Sequence, residues 1–255
     1  MMGLIKNEWL KLLQNKKFYA LLLFLLLLYL LPVLMTVLVR INTYNGQVYP
    51  LTVFGVAASF ALPLFLIVFV AEIITDEYLS GTLSLTLLHP VTRRQVLTAK
   101  VIFIYSVILL LLVFCLGLGY LIGTVIFGWG TDFMARGLTY SVSEGIFITV
   151  TAYLSASLPL LAFSLLVLFL ALLLQSGAAV VGMSAGLLFL LTILQLLAEE
   201  LSPVLINTYF NTLPIVLDYL NNPGGLTFRL LFVFCFALLF YCLALFVFTR
   251  RDMVY

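Results

Sequence analysis

Charged residues are scarce in this chain: 9% of its 255 residues are Asp, Glu, Lys or Arg, whereas 65% are hydrophobic. Soluble domains are about 45–50% apolar. The only histidine is His89, and the three cysteines all lie inside apolar runs, with no CxxC pair among Cys115, Cys235 and Cys242. We therefore expect no metal site. The net charge of +2 gives no indication of a nucleic-acid partner, and we expect none.

The sequence also lacks a phosphate-binding loop. A Walker A loop needs the pattern GxxxxGK[ST], in which backbone N–H groups and the lysine contact the phosphates. After Lys17 the only lysine is Lys100, and it follows Ala99. We therefore predict that this chain binds no cofactor and is not itself an enzyme.

Long apolar runs are what the chain has in abundance. Apolar runs of 18 or more residues are typical of membrane-spanning helices, and lipid tolerates only helices or closed barrels. We predict an all-α polytopic membrane protein, with one transmembrane domain over residues 1–255. The six spans are residues 18–39, 51–74, 101–127, 145–174, 178–197 and 226–248. The first run is too long for a cleavable signal and lacks a cleavage site, so we expect it to stay in the membrane.

Small residues predict close helix packing in two of these spans. Gly119 and Gly123 lie on one face of the third span, and Gly182 and Gly186 form a GxxxG pair in the fifth. The polar residues 131–144 are expected to form a loop.

The first 17 residues have amphipathic helical spacing. Ile5, Trp9, Leu12 and Leu13 share one face, whereas Asn7, Glu8, Lys11 and Gln14 share the other. Lysines favour an anionic membrane surface, and tryptophan favours headgroup depth. We predict a surface helix on the cytoplasmic side, with Glu8, Trp9 and Lys11 as its candidate functional residues. A simple charge anchor is the alternative.

Residues 75–100, between the second and third spans, form a segment far longer than a turn requires. Leu79, Leu83 and Leu87 recur every four residues, which indicates one face of a helix over residues 76–88. Asp76 and Glu77 would lie in its first turn, where acidic groups suit the helix dipole. Pro90 would end it. A second helix would begin near Thr92 and continue through Lys100 into the third span. A solvated loop is the alternative.

Residues 198–225 mix leucines with three acidic residues and three prolines. This segment is too apolar for a free loop and too broken for a span, so we predict short helices against the outer membrane face.

Lysine and arginine positions predict the orientation. With the N-terminus inside, nine basic residues lie inside and three outside, the three being Arg40, Arg136 and Arg229. Six spans with both termini in the cytoplasm are therefore expected.

The segment after the second span resembles the permease subunits of ABC-2 type transporters. The shared pattern is E-x-x-x-G-T-L-x-x-x-L-L-x-P-[VI]-[ST]-R-x-x-[VI]-x-x-x-K. It is matched here by Glu77, Gly81, Thr82, Leu83, Leu87, Leu88, Pro90, Val91, Thr92, Arg93, Val96 and Lys100. The opening NEWLKLLQNKKFYALL resembles the same family.

The resemblance implies a coupling helix that docks on a separate ATPase. The candidate coupling residues are Glu77, Leu79, Gly81, Thr82, Leu83, Leu87, Pro90, Arg93 and Arg94, and either arginine could fill the family position. It also implies two ATPase copies that hold ATP and Mg, a second permease subunit, and export across the cell membrane. Whether Glu77 and Arg93 contact the ATPase or the membrane domain stays open.

Two other classes remain possible from the sequence. A secondary transporter usually carries ionisable residues within its spans, and the span interiors here carry none. A membrane scaffold or immunity protein without a transport cycle is the other alternative. A zinc protease at Glu199 and Glu200 is disfavoured, because His89 is predicted to lie on the opposite side. The sequence does not select a substrate.

Overall fold

The computed structural model describes residues 2–39, 45–79, 92–135, 137–174, 176–221 and 226–250. Within these ranges six helices are long and apolar enough to cross a membrane, which confirms the all-α polytopic prediction. Span one is Lys16–Val39, span three Arg93–Phe127, span five Gly177–Leu197 and span six Leu226–Arg250. An N-terminal helix, Met2–Gln14, precedes span one.

Spans two and four are each interrupted near a proline. Span two consists of Tyr49–Val56, a π-helical segment Ala57–Ala61, and Leu62–Leu79. The π segment lies directly before Pro63, which has no N–H and whose ring would clash with a carbonyl in the preceding turn. Span four consists of Val142–Ser155 and Ser157–Leu174, with the break three residues before Pro159.

Capping boxes start spans three and four. The Thr92 side chain accepts a hydrogen bond from the backbone N–H of Gln95, and the Thr92 backbone N–H donates one to Gln95 Oε1. Ser141 and Glu144 form the same reciprocal pair. This arrangement satisfies N–H groups that have no partner at a helix start. The predicted helix start near Thr92 is confirmed, and the helices of spans three and four begin earlier than the apolar runs predicted from residues 101 and 145.

Span four is the centre of the bundle. It packs against spans two, three, five and six, and spans two and four are mostly buried, whereas spans one, five and six are mainly exposed. Buried tyrosines join spans one, two and four: the Tyr153 hydroxyl lies 3.0 Å from that of Tyr29 and donates to the carbonyl of Pro50 at 2.8 Å. The Tyr49 hydroxyl donates to the carbonyl of Tyr29.

The four glycines predicted to promote packing have two different environments. A Cβ atom at Gly119 would lie 2.9 Å from Pro50 Cα, and one at Gly123 would lie 2.9 Å from Tyr49 Cβ. These two glycines therefore allow span three to approach the start of span two closely. At Gly182 and Gly186 no described atom lies within 4 Å of an added Cβ. Within this chain the fifth-span pair packs against nothing that the structure describes.

Residues 131–144 are not simply a polar loop. Phe133–Ala135 pairs with Leu138–Tyr140 as a short antiparallel hairpin, and Phe133 is fully buried against Gly145. Beyond span five, short helical pieces occupy the predicted segment: Glu199–Val204, Ile206–Tyr209 and Leu213–Asn221. We call the last of these the distal helix.

Candidate coupling site at the N-terminal face

The N-terminal helix lies against the starts of spans one and three and the end of span two, and we call this end of the bundle the N-terminal face. Trp9 contacts Phe103 of span three edge-on, with ring centroids 5.6 Å apart, and Leu12 is buried. Leu13, predicted to share this face, is instead half exposed at 51%. The buried stripe is therefore narrower than the sequence suggested.

Four charged side chains meet under this helix, and we call them the charge cluster: Glu8, Lys11, Glu77 and Lys100. The Lys100 Nζ atom lies 2.7 Å from Glu77 Oε2 and 3.4 Å from Glu8 Oε1. The Lys11 Nζ atom lies 2.8 Å from Glu77 Oε1 and 3.7 Å from Glu8 Oε1. Two ammonium groups thus alternate with two carboxylates and join three helices.

Burial makes the charge cluster energetically important. The Lys100 side chain is 3% exposed, and those of Glu8 and Glu77 are each 13% exposed. A charge this far from water is tolerated only when it is paired. The predicted polar face of the N-terminal helix is therefore wrong for Glu8, because this carboxylate turns inward towards Lys100. The helical period alone could not reveal a counterion on another helix.

The pKa values of the two groups on the N-terminal helix reflect this setting. Burial raises the pKa of Glu8, and the nearby Glu77 carboxylate adds to the rise, although Lys100 and Lys11 oppose it. For Lys11, burial disfavours the charged form, but the hydrogen bond and charge of Glu77 outweigh burial and raise its pKa. Lys11 therefore stays charged, while ionisation of Glu8 carries a cost.

The end of span two differs from the prediction. Asp76 and Glu77 were expected in the first turn of a separate helix, but the helix of span two continues through them to Leu79. No glycine or proline interrupts the chain between Pro63 and Gly81, so the span-two helix simply propagates. The remaining predicted coupling residues lie outside the described residues: Gly81, Thr82, Leu83, Leu87 and Pro90.

The two neighbouring arginines have different surroundings. The Arg93 guanidinium donates to the carbonyls of Phe248 and Thr249 at 3.4 Å and 3.2 Å. These carbonyls belong to the last turn of span six, where the helix dipole favours a cation. Arg94 is exposed. Within this chain Arg93 therefore fastens span three to span six, whereas the Arg94 side chain faces outward.

A second ion pair lies nearby at the surface. Lys17 Nζ lies 2.7 Å from Glu72 Oε1, but the lysine side chain is 66% exposed. This pair joins spans one and two at the same Nζ–Oε distance as the Lys100–Glu77 pair, but it is much more exposed to solvent. In the described part of the chain no three His, Cys, Asp or Glu residues form a group that could hold a metal ion.

Comparison with protein families shows which family the chain belongs to. The family model described as ABC-2 family transporter protein matches residues 4–182, well over half of the chain. The chain belongs to this family. The match includes the N-terminal helix, the whole charge cluster and spans one to four. No curated protein sequence matches the chain.

Membership defines the general role of the molecule. The chain is the membrane permease of an ABC transporter, and such a permease is the transport subunit rather than the ATPase. The family implies association with an ABC ATPase and typically with another membrane subunit. Lys100 completes the charge cluster, although it was not among the candidate coupling residues predicted from the sequence. The feature of the sequence that could have indicated its role is that this lysine lies directly before an apolar run, between Ala99 and Val101.

Proposed function

We propose that this permease is an exporter subunit driven by a separate ATPase that binds ATP and Mg. Two ATPase copies and a second permease subunit, identical or related, would complete the transporter. The complex would lie in the cell membrane, with both termini of this chain in the cytoplasm.

The charge cluster supports coupling to an ATPase. Residues 80–91 leave span two after Leu79 and rejoin the described chain at Thr92, the cap of span three. The Lys100–Glu77 pair connects these two spans within about two helical turns of that segment, at 2.7 Å. A push on residues 80–91 would therefore move spans two and three together, with the N-terminal helix attached through Lys11. This is the observation on which the coupling proposal rests.

The charge distribution supports the cytoplasmic assignment. At the N-terminal face the described chain carries eight basic residues: Lys6, Lys11, Lys16, Lys17, Arg93, Arg94, Lys100 and Arg250. Among the described residues the opposite face carries Arg229. Cytoplasmic segments are enriched in lysine and arginine.

Reporter fusions after Asn45, Asp132 and Asn211 should read outside, and one after Ser84 should read inside. An outside result at Ser84 would exclude ATPase docking there.

The exposed spans offer room for a second permease subunit. Spans one, five and six present apolar side chains outward, which suits either lipid or another subunit. Small residues allow the closest helix approach in a membrane. The open pair Gly182 and Gly186 on span five therefore makes this span our candidate for the subunit contact.

The test of coupling uses a matched pair of leucine substitutions. Leu83→Asp places a charge in the proposed docking segment, and Leu138→Asp places one on the hairpin, where Leu138 is already 53% exposed. At equal membrane levels, Leu83→Asp should lose the copurifying ABC ATPase and its vanadate-sensitive ATP hydrolysis, while Leu138→Asp should keep both. Full ATPase binding by Leu83→Asp would exclude docking through the leucine row. Absence of any ABC ATPase from wild-type preparations would contradict the proposed partner itself.

A further inference from the structure

A large cavity lies at the end of the bundle opposite the N-terminal helix. It measures about 680 Å³ and lies between span two, the end of span five, the short helical pieces and the start of span six. Ligand sites in proteins usually measure about 300–1,000 Å³. We call this cavity the polar chamber, because it contains hydroxyl, amide and charged side chains.

Two buried polar atoms in this wall have no partner in the described chain. Asn207 is 8% exposed, and its amide nitrogen donates to Gln195 Oε1 at 2.6 Å, yet its Oδ1 atom accepts no hydrogen bond. The hydroxyl of the adjacent Thr208 is likewise buried and without a partner. Such atoms cost free energy unless something donates to them. Both residues line the polar chamber, so a ligand there would lie beside them.

The backbone around the polar chamber is also irregular. Ser59 and Phe60 reach it from the π-helical segment of span two, and Asn207 reaches it from a 3-10 turn. π-helical insertions often mark functional positions. Non-helical backbone at membrane depth is tolerated where protein buries it or where it lines a cavity. A π-helical segment and a 3-10 turn of the described chain therefore border this chamber.

The charges in the wall balance each other. Among the described lining residues the full charges are Asp218 and Arg229, and the Arg229 Nη1 atom lies 3.3 Å from Asp218 Oδ2. The described part of the wall thus has no net charge to attract an ion of either sign. The unpaired oxygens of Asn207 and Thr208 can instead accept hydrogen bonds from the O–H or N–H groups of a neutral ligand.

A second cavity shares one wall with the first. It measures about 250 Å³ and shares Tyr209, Ile215 and Arg229 with the polar chamber. Its other walls are mainly apolar, with Leu158 and Pro159 from span four, Val216 from the distal helix, and Leu230 and Val233 from span six. We call it the apolar chamber. It adjoins the break in span four, next to Ser155.

We propose that the two chambers form a binding site for an amphiphile with a neutral, hydroxyl- or amide-bearing head and a short apolar tail. The head occupies the polar chamber and donates hydrogen bonds to Asn207 and Thr208, while the tail enters the apolar chamber. This inference rests on the proposed transport function only for the role of the ligand as cargo. Binding itself can be measured without ATP or an ATPase.

The test is protection of an engineered thiol in the polar chamber. Purified full-length permease in lipid nanodiscs, with its three cysteines replaced by alanine, carries either Ser59→Cys or, as control, the exposed Thr131→Cys. The rate of labelling by a methanethiosulfonate is measured with hexyl β-glucoside as the hydroxyl probe and N-hexylacetamide as the amide probe. Glucose lacks the tail, and hexyl sulfate and hexylammonium carry charged heads.

The site is supported when either neutral probe slows methanethiosulfonate labelling of Ser59→Cys and leaves the labelling of Thr131→Cys unchanged. The neutral probe that protects at the lower concentration identifies the chemistry of the head. Glucose and the charged probes should need about tenfold higher concentrations, since each lacks one element of recognition. Thr208→Val keeps the volume but removes the hydroxyl, and Asn207→Leu removes the acceptor. Each should raise the half-protecting concentration about tenfold.

Several results would overturn the site. The first is that Ser59→Cys is not labelled at all, and the second is that neither neutral probe protects it. The third is that the charged probes protect it as well as the neutral probes do. The fourth is that Thr208→Val and Asn207→Leu both leave the half-protecting concentration unchanged. None of these results bears on whether an ATPase docks on residues 80–91. Conversely, if no ATPase docks on residues 80–91, the labelling result still stands.

Discussion

Lys100 should contribute far more to stability than Lys17, although both make an ion pair of the same length. The Nζ–Oε distance is 2.7 Å in the Lys100–Glu77 pair and in the Lys17–Glu72 pair. Their burial differs sharply, because the Lys100 side chain is 3% exposed and that of Lys17 is 66% exposed. Comparing Lys100→Met with Lys17→Met therefore tests burial at constant pair distance, with Glu8 as an additional partner of Lys100.

The expected magnitudes follow from what each substitution leaves behind. Without Lys100, the carboxylates of Glu8 and Glu77 keep the ammonium group of Lys11, which is itself 49% exposed. Removing one partner of a buried ion pair typically costs about 3–5 kcal/mol. Because Lys11 still compensates part of the charge, we expect the lower end, about 3 kcal/mol, or about a hundredfold in the unfolding equilibrium constant. Lys17→Met should cost at most about 1 kcal/mol, since exposed pairs are screened by water.

Tryptophan fluorescence provides the assay. The chain has two tryptophans, so Trp129→Phe leaves Trp9, which contacts Phe103 beside the charge cluster. Unfolding by sodium dodecyl sulfate from dodecyl maltoside micelles would be followed for each variant. Lys100→Met combined with Glu77→Gln should cost less than the sum of the single changes, because the double variant removes the buried carboxylate together with its cation. Equal, small losses for Lys100→Met and Lys17→Met would refute the assignment of a buried cluster.

Two further predictions concern contacts within the bundle. Gly123→Ala should destabilise the chain by about 1–3 kcal/mol, since its Cβ would lie 2.9 Å from Tyr49 Cβ and 3.0 Å from the Gly46 carbonyl oxygen. In the same unfolding assay Gly186→Ala should be neutral or stabilising, because no described atom lies within 4 Å of its added Cβ; a larger loss at Gly186 would contradict this. Tyr153→Phe should cost about 1 kcal/mol by removing the hydroxyl contacts to Tyr29 and Pro50, whereas Tyr19→Phe, at a half-exposed position, should cost little. Similar losses for the two tyrosines would argue against the buried hydroxyl network.

The spans and their order could be predicted because apolar length is a local property. Helix starts could also be predicted where a capping residue is present in the sequence, as at Thr92. What could not be predicted is the end of span two, where charge at Asp76 and Glu77 suggested a new helix. Charge near a membrane surface does not break a helix, and the next residue that favours a break is Gly81.

The candidate site was only partly predictable, because its contacts join distant parts of the chain. Glu8 and Lys100 are 92 positions apart, and Lys11 and Glu77 are 66 apart. A single sequence contains no information on which residues so far apart will form an ion pair. The unpartnered atoms of Asn207 and Thr208 were equally hidden, since both residues lie in one 3-10 piece, Ile206–Tyr209, that packs against span five. Only the assembled bundle reveals which polar groups lack a partner.

Glu8 should behave differently from the other members of the charge cluster. Burial raises its pKa above the ordinary value of 4.5, so the folded state binds a proton here more readily than the unfolded state does. The resulting contribution to stability is fully present below pH 4.5 and is lost as the pH rises through the raised pKa. Glu77, Lys11 and Lys100 are the charged groups that face Glu8, and their pairing with one another survives without it.

Glu8→Gln keeps the shape of the side chain but removes its ionisation. At pH 8 we therefore expect this variant to unfold at the same or a higher detergent fraction than the wild type. The difference should shrink as the pH falls towards 4.5, where Glu8 in the wild type also becomes neutral. Lys11→Met serves as the comparison, because loss of that cation should destabilise at both pH values. A Glu8→Gln variant that loses more stability at pH 8 than near pH 4.5 would show that the ionised carboxylate is net favourable, and its hydrogen bond from Lys100 would then outweigh the cost of burial.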